Sequence, residues 1–396
     1  MEKLIEEYFS QFSFDVREHG DARFCDQKCT PDIVSTIAEI ILNYVGTDYE
    51  KNFTKNDIWK NDFSDELFRE SYGKPSVYDK KLESEYDKVF GQPLRMLFHS
   101  KILNSEKKGN TYHYSILRKD ILEYISLRER NALNFLYIFL NKTISDSGLK
   151  TPFDKFFIEQ SKEALHTLCQ TLDDFYHKYT GVTKNDEPPR IYNKFIDILA
   201  FKNKKKGVVK GFLSKGSITI DEIRYNRINW RDINKDKSIS RQEYKELFNK
   251  SIGNNSSYYK YAIAKAKRFV RTLHPYSEIH RFKEYPGIQA HHIFMESEFP
   301  EIADYPENII CLTPNQHYFR AHPNNHTYTL DKDYQLVCLL CKLDSIEINY
   351  REGKEDYSLQ DFIQVLNIGF DTDIFTSKMD FEEVKYQILK NAYYQN

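Results

Sequence analysis

The stretch from Ile288 to His322 limits what this chain can fold into more than any other part of it. Two adjacent histidines, His291 and His292, close a short apolar run, and Asn308 opens a second one, Ile309-Ile-Cys-Leu312. A helix is predicted next, because Thr313 can accept from the open N–H groups of the first turn and Pro314 suits the first helical position. His317 lies about one turn into that helix. The predicted order is therefore strand, loop, strand, helix, with imidazoles on the first strand and on the helix facing a common point. Neighbouring strand residues point to opposite sides, so His291 and His292 should have different jobs.

The run Asn308-Ile-Ile-x-Leu-x-x-x-x-His317, preceded by the His291-His292 pair, resembles the HNH, or ββα-metal, nucleases. The chemistry of the residues agrees: phosphodiester hydrolysis needs a base for water and a cation for the charge that builds on phosphorus and the leaving oxygen. The resemblance implies that His291 and His317 are metal ligands, that His292 is the general base, and that Asn308 braces the loop and orients that base. It also implies one divalent cation, magnesium or manganese. An imidazole suits a base that must be unprotonated near neutrality. The bland reading of the same residues is a structural zinc site or a core cluster of histidines.

The chain departs from the family pattern at two places. Gln289-Ala290 stands where many HNH proteins carry an acidic residue, and Ala321 stands where some carry a third histidine. His322, one residue further round, and Arg320, on the His317 face of the helix, are the alternatives there, the first as a ligand and the second as a phosphate contact.

Length and composition bound the rest. The 396 residues suffice for two or three domains, and 40% hydrophobic with 15% aromatic content can fill sizeable cores. The net charge of −2 argues against a uniformly basic nucleic-acid binder, though local patches matter more than the total. Met1-Glu-Lys-Leu-Ile-Glu-Glu reads as an amphipathic helix start and not as a secretory leader, and the absence of a long apolar run argues against a membrane span. Six cysteines without regular spacing fit a reducing cytoplasm. Cys25/Cys29 and Cys338/Cys341 are either four zinc ligands or ordinary buried thiols.

Along the chain, Thr30-Pro31-Asp32 starts a helix with Ile33, Ile37, Ile40, Ile41 and Tyr44 at helical spacing, ended by Gly46. A short helix follows from Thr54, with Ile58 and Trp59 inward. Residues 83–103 are helical with an interruption expected at Gly91-Gln92-Pro93. A polar turn over 104–110 and a strand over 112–116 come next. Three helices and a hairpin tipped by Lys107 and Lys108 resemble a winged helix, with Arg95, Lys88 and His99 as exposed contact candidates and the two lysines on phosphates. The alternative is a plain helical domain with one β-ribbon. Residues 118–180 carry core stripes, and residues 181–189, ending in Pro188-Pro189, read as a linker. The lysine run 202–206, with Lys210 and Lys215, is either a solvated face or a phosphate contact.

Asp232, Asn234, Asp236, Ser238 and Glu243 fall at positions one, three, five, seven and twelve of a loop that resembles an EF-hand and would take Ca2+. Lys237 replaces the usual glycine at position six, so a capped helix–loop–helix is the other reading. Arg268 and Arg271 share a helical face just before the histidine strand, suited to the DNA backbone.

The fold expected is α+β and mostly helical. A winged-helix-like part (1–120) precedes a helical middle (121–185) and a C-terminal ββα-metal nuclease core (186–396). The whole resembles type II restriction endonucleases that carry an HNH site inside a larger DNA-reading chain. That likeness implies a sequence-specific double-stranded DNA endonuclease with a cognate DNA methyltransferase in the same system. One site per chain implies a homodimer or sequential nicking. The alternatives are a nicking or signal-activated defence or mobile-element nuclease, and a non-catalytic DNA-binding protein with a degenerate nuclease fold.

Overall fold

The computed structural model describes residues 1–209, 211–225, 257–279, 284–321, 330–354 and 356–394. The EF-hand-like loop 232–243, His322 and Lys210 lie outside these residues. The described chain is mostly helical with three small antiparallel sheets. None of its helices is long and apolar enough to cross a membrane.

The chain divides into two compact units, Met1–Asp236 and Lys237–Asn396, and not at the boundaries expected near 120 and 185. The first unit is continuous because its helices pack on one another across both positions. It begins with α1 (Glu2–Phe9) and α2 (Pro31–Val45), followed by β1 (Phe53–Thr54), α3 (Lys55–Trp59), α4 (Asp62–Tyr72) and α5 (Glu83–His99). The hairpin β2 (Leu103–Lys108) and β3 (Thr111–Ile116) leads into α6 (Lys119–Leu127), α7 (Glu129–Asp146), α8 (Lys150–Glu159), α9 (Lys162–Tyr179) and α10 (Glu187–Lys202). Helix α2 packs on both α6 and α7, and α10 packs on α7 and α9, so the 120 and 185 positions are spanned by buried contacts. The prolines expected to mark a linker instead begin α10, near the N-terminus, where a missing N–H leaves nothing unpaired.

Two further expectations change. Helix α5 runs unbroken through Gly91-Gln92-Pro93. Pro93 is buried in line with Tyr86, Val89, Phe90, Leu94 and Leu97, and that packing offsets a proline cost of about 3 kcal/mol. The segment expected as a polar turn is strand: β2 pairs with β3 from Leu103↔Ile116 to Lys108↔Thr111. The turn is confined to Gly109-Asn110, where Gly109 takes φ of 62°, open to glycine at little cost. β1 joins this sheet in the order β1-β3-β2. A second hairpin, β4 (Val208–Val209) with β5 (Phe212–Leu213), follows α10.

The second unit is built round β6 (Gln289–His292) and β7 (Ile309–Leu312), paired antiparallel with His291 opposite Ile310 and His292 opposite Ile309. Helix α11 (Ser257–Leu273) lies on one face, where Ala266 and Val270 meet Ile309 and Cys311. On the other face Ile310 and Leu312 join a core with Cys338, Leu339 and Leu343 of α13 (Lys332–Arg351) and with α14 (Leu359–Gly369) and α15 (Phe381–Tyr394). The short helix α12 (Pro314–Gln316) continues into a wider π turn over His317–Ala321. Cys25, Cys29, Cys338 and Cys341 are all buried and none is in a disulfide, one pair lying in each unit.

Candidate functional site

The register of β6 and β7 decides where each imidazole goes. Cross-strand partners share a face, so His291 lies with Ile310 on the α13 side, and His292 lies with Ile309 on the α11 side. The helix that carries His317 starts as its sequence requires. Thr313 and Gln316 form a reciprocal capping box with Pro314 at the helix start, and Gln316 Oε1 also accepts from Ser277 Oγ at 2.8 Å. The π turn then sets His317 against His291, with ring centroids 5.2 Å apart at 80°.

Two imidazoles that share one cation at about 2.1 Å per nitrogen have centroids about 5 Å apart when the angle at the ion is between square and tetrahedral. The observed spacing and the donor chemistry fit that arrangement; 5.2 Å is also an ordinary distance for edge-to-face rings. Among the described residues no group of three or more His, Cys, Asp and Glu side chains is placed to hold an ion. Among the described residues the pair would thus offer an ion two imidazole nitrogens.

His292 is buried on the opposite face. Its Nε2 lies 2.9 Å from the Ala303 carbonyl. A carbonyl only accepts, so Nε2 carries the hydrogen and Nδ1 keeps the lone pair in the neutral ring. Nδ1 is 3.9 Å from Glu296 Oε2. Burial pushes the ring's pKa down to about 4, the Lys267 charge pushes the same way, and the Ala303 hydrogen bond opposes both. Lys267 itself is lowered by burial and supported by Glu296, 4.0 Å away. The ring is thus neutral with one free base position at any cellular pH.

Asn308 is fully buried and closes the loop between the strands. Its Nδ2 donates to the carbonyls of Phe294 (3.0 Å) and Ile302 (3.2 Å), its Oδ1 accepts from Phe294 N (2.8 Å), and its carbonyl accepts from Ile293 N (2.8 Å). Ala303 follows Ile302 in that loop, so Asn308 positions the His292 partner through the backbone.

Arg268, Arg271 and Arg320 are exposed, the first two on α11 and the third within the π turn. In the first unit, Lys107 and Lys108 are exposed at the hairpin end, with Lys107 Nζ 5.8 Å from the centre of the Tyr112 ring and Lys108 Nζ 3.1 Å from Glu106. The face of α5 that was expected to meet DNA is largely engaged within its own unit. His99 Nε2 lies 2.7 Å from Asp21 Oδ2 and Arg95 donates to the same oxygen. Gln92 Oε1 accepts from Lys28 N at 2.7 Å. Lys88 remains exposed.

Sequence reasoning missed a buried polar network beside β7. Glu278 N donates to Cys311 O (2.9 Å) and its Oε1 accepts from Cys311 N (2.7 Å). Lys342, fully buried, reaches Glu278 at 2.8 Å and the Tyr357 hydroxyl at 3.1 Å, and His274 Nε2 lies 2.9 Å from that hydroxyl. A lysine between Cys341 and Leu343 in an apolar helical run was the available signal, since buried lysine is almost always paired. No protein-family model, curated protein or solved structure matches the chain.

Proposed function

We propose that this chain is a metal-dependent DNA endonuclease whose chemistry is carried by His291, His292 and His317. The observation that supports it most is the pair of rings His291 and His317, 5.2 Å apart, with a buried His292 of lowered basicity directly after His291 on the same strand. A divalent ion held by His291 and His317, magnesium or manganese, would supply charge neutralisation at phosphorus and at the departing oxygen. The chain's own part is proton transfer and positioning. His292 Nδ1 takes a proton from water, the freed electron pair forms the new O–P bond, and the old P–O bond breaks with its electrons left on the departing oxygen. Arg268, Arg271 and Arg320 are suited to hold flanking phosphates, and Asn308 keeps the loop that presents Ala303 to the base.

The first unit supports a DNA-reading role. Its order of α2, β1, α3, α4, α5, β2 and β3, with strands arranged β1-β3-β2, resembles a winged helix with one additional short helix, α3. Because Arg95 and His99 are tied to Asp21, the backbone contacts fall to Lys88, Lys107 and Lys108. The fuller reading is a type II restriction endonuclease that cuts both strands of a specific sequence, as a homodimer or by sequential nicking, beside a cognate methyltransferase.

Supercoiled plasmid incubated with magnesium or manganese tests this, with His292→Ala as the control. Discrete fragments are expected from the unmodified chain and none from the variant. Nicked circles or a smear would favour a nicking or signal-activated defence nuclease. No change with either metal removes the nuclease reading and leaves a DNA-binding protein with a degenerate site.

A further inference from the structure

The three residues after His317 point outward in succession: Tyr318, Phe319 and Arg320 are all exposed, while Ala321 turns back into the core. Phe319 is 71% exposed and Tyr318 38% exposed. Single exposed apolar side chains are commonplace, but three local features set this one apart. The backbone here is a π turn, a rare form frequently found at functional sites. The Tyr318 ring stands edge-on to His317, 4.8 Å between centroids, so the aromatic surface begins at the candidate ligand itself. A guanidinium, Arg320, closes the same turn.

A phosphate seated at the His291–His317 pair would have its nucleoside beside the turn that begins with His317, whose ring the Tyr318 ring already meets. A base still stacked in a duplex offers only its edges to a protein, whereas an unstacked base offers a flat π face. Aromatic side chains beside a cationic phosphate contact are how proteins hold such bases. We infer that Phe319 is a stacking platform for a nucleobase next to the scissile phosphate, with Arg320 on the neighbouring phosphate, so that the site prefers DNA that is single-stranded or readily unstacked at the cut. This rests on the nuclease reading for the identity of the ligand, and it adds the form in which that ligand is bound.

The test reads binding separately from cleavage. In a His292→Ala background with magnesium, the full chain is titrated by fluorescence anisotropy against one oligonucleotide, as a single strand and as a fully paired duplex. Phe319→Ala should weaken single-strand binding by about tenfold or more, the worth of one base–aromatic stack, and duplex binding less. Phe319→Trp should restore it, which a loss of fold would not allow. Equal single-strand affinity in the alanine variant, failure of tryptophan to restore it, or no single-strand binding at all overturns the inference. Separately, the unmodified chain and Phe319→Ala are assayed for cleavage. Binding that depends on Phe319 without cleavage by the unmodified chain would sink the nuclease reading and keep the platform. Cleavage with binding indifferent to Phe319 would do the reverse.

Discussion

The depressed basicity of His292 leads to a pH profile that an ordinary histidine base would not give. Folding moves its pKa from 6.5 to about 4, which disfavours the imidazolium by about 3 kcal/mol at 1.36 kcal/mol per unit. The direction matters: a base must be unprotonated, so a depressed pKa extends activity toward acid. At pH 6 an unperturbed imidazole is only about a quarter neutral, whereas His292 is about 99% neutral. The assay is kcat/KM for plasmid or oligonucleotide cleavage from pH 5 to 8. DNA is held well below KM, so that the free enzyme is reported, and metal is raised at each pH until the rate no longer depends on it. The rate should stay flat from pH 8 to 5 as far as the base is concerned. Lys267→Gln removes the neighbouring positive charge and should move the acid limb upward, but not to 6.5, since burial of the ring contributes more. An acid limb with apparent pKa between 6 and 7 at saturating metal would refute the reasoning, because the proton acceptor would then not be the buried ring.

Gly369 ends α14 against Phe294, and an added Cβ would lie 2.4 Å from the Phe294 ring. Gly369→Ala should cost about 1–3 kcal/mol of stability by overpacking, seen as a lower urea midpoint by circular dichroism; an unchanged midpoint shows the ring has room to move. The double variant Lys107→Ala/Lys108→Ala should weaken duplex binding at low salt and flatten the slope of log K against log salt by about 2, near 0.9 for each phosphate lost. An unaltered slope counts against the wing. Calcium titrated into the full chain should release heat if Asp232, Asn234, Asp236, Ser238 and Glu243 ligate it, and no heat at millimolar calcium dismisses that loop as an ion site.

The hairpin and the helix after it were legible in the sequence because their signals are local. Alternation fixes which side each strand residue takes, and Thr313, Pro314 and Gln316 write the helix start in four residues. What escaped the reading depends on residues brought from afar or on ambiguous punctuation. The partner of His292 is a backbone carbonyl, Ala303, and every residue has one, so no side-chain pattern announces it. Pro188 and Pro189 read equally as linker and as helix start, and only the buried face of α10 decides between them. Pro93 read as a break because its cost is local, whereas the core that offsets it is assembled from α3 and α4 as well, through Trp59 and Phe68. The π turn at His317 had no sequence marker at all.

The carboxylate of Glu278 has a consequence for solubility as well as for shape. A two-strand ribbon ordinarily leaves an outer margin of unpaired peptide groups onto which a strand from another molecule can zip. Here the outward-facing N–H and C=O of Cys311 are both taken by one residue, and the ammonium of Lys342 anchors that residue from behind. The ribbon is thereby sealed at Cys311, so neighbouring copies find no template for strand addition there.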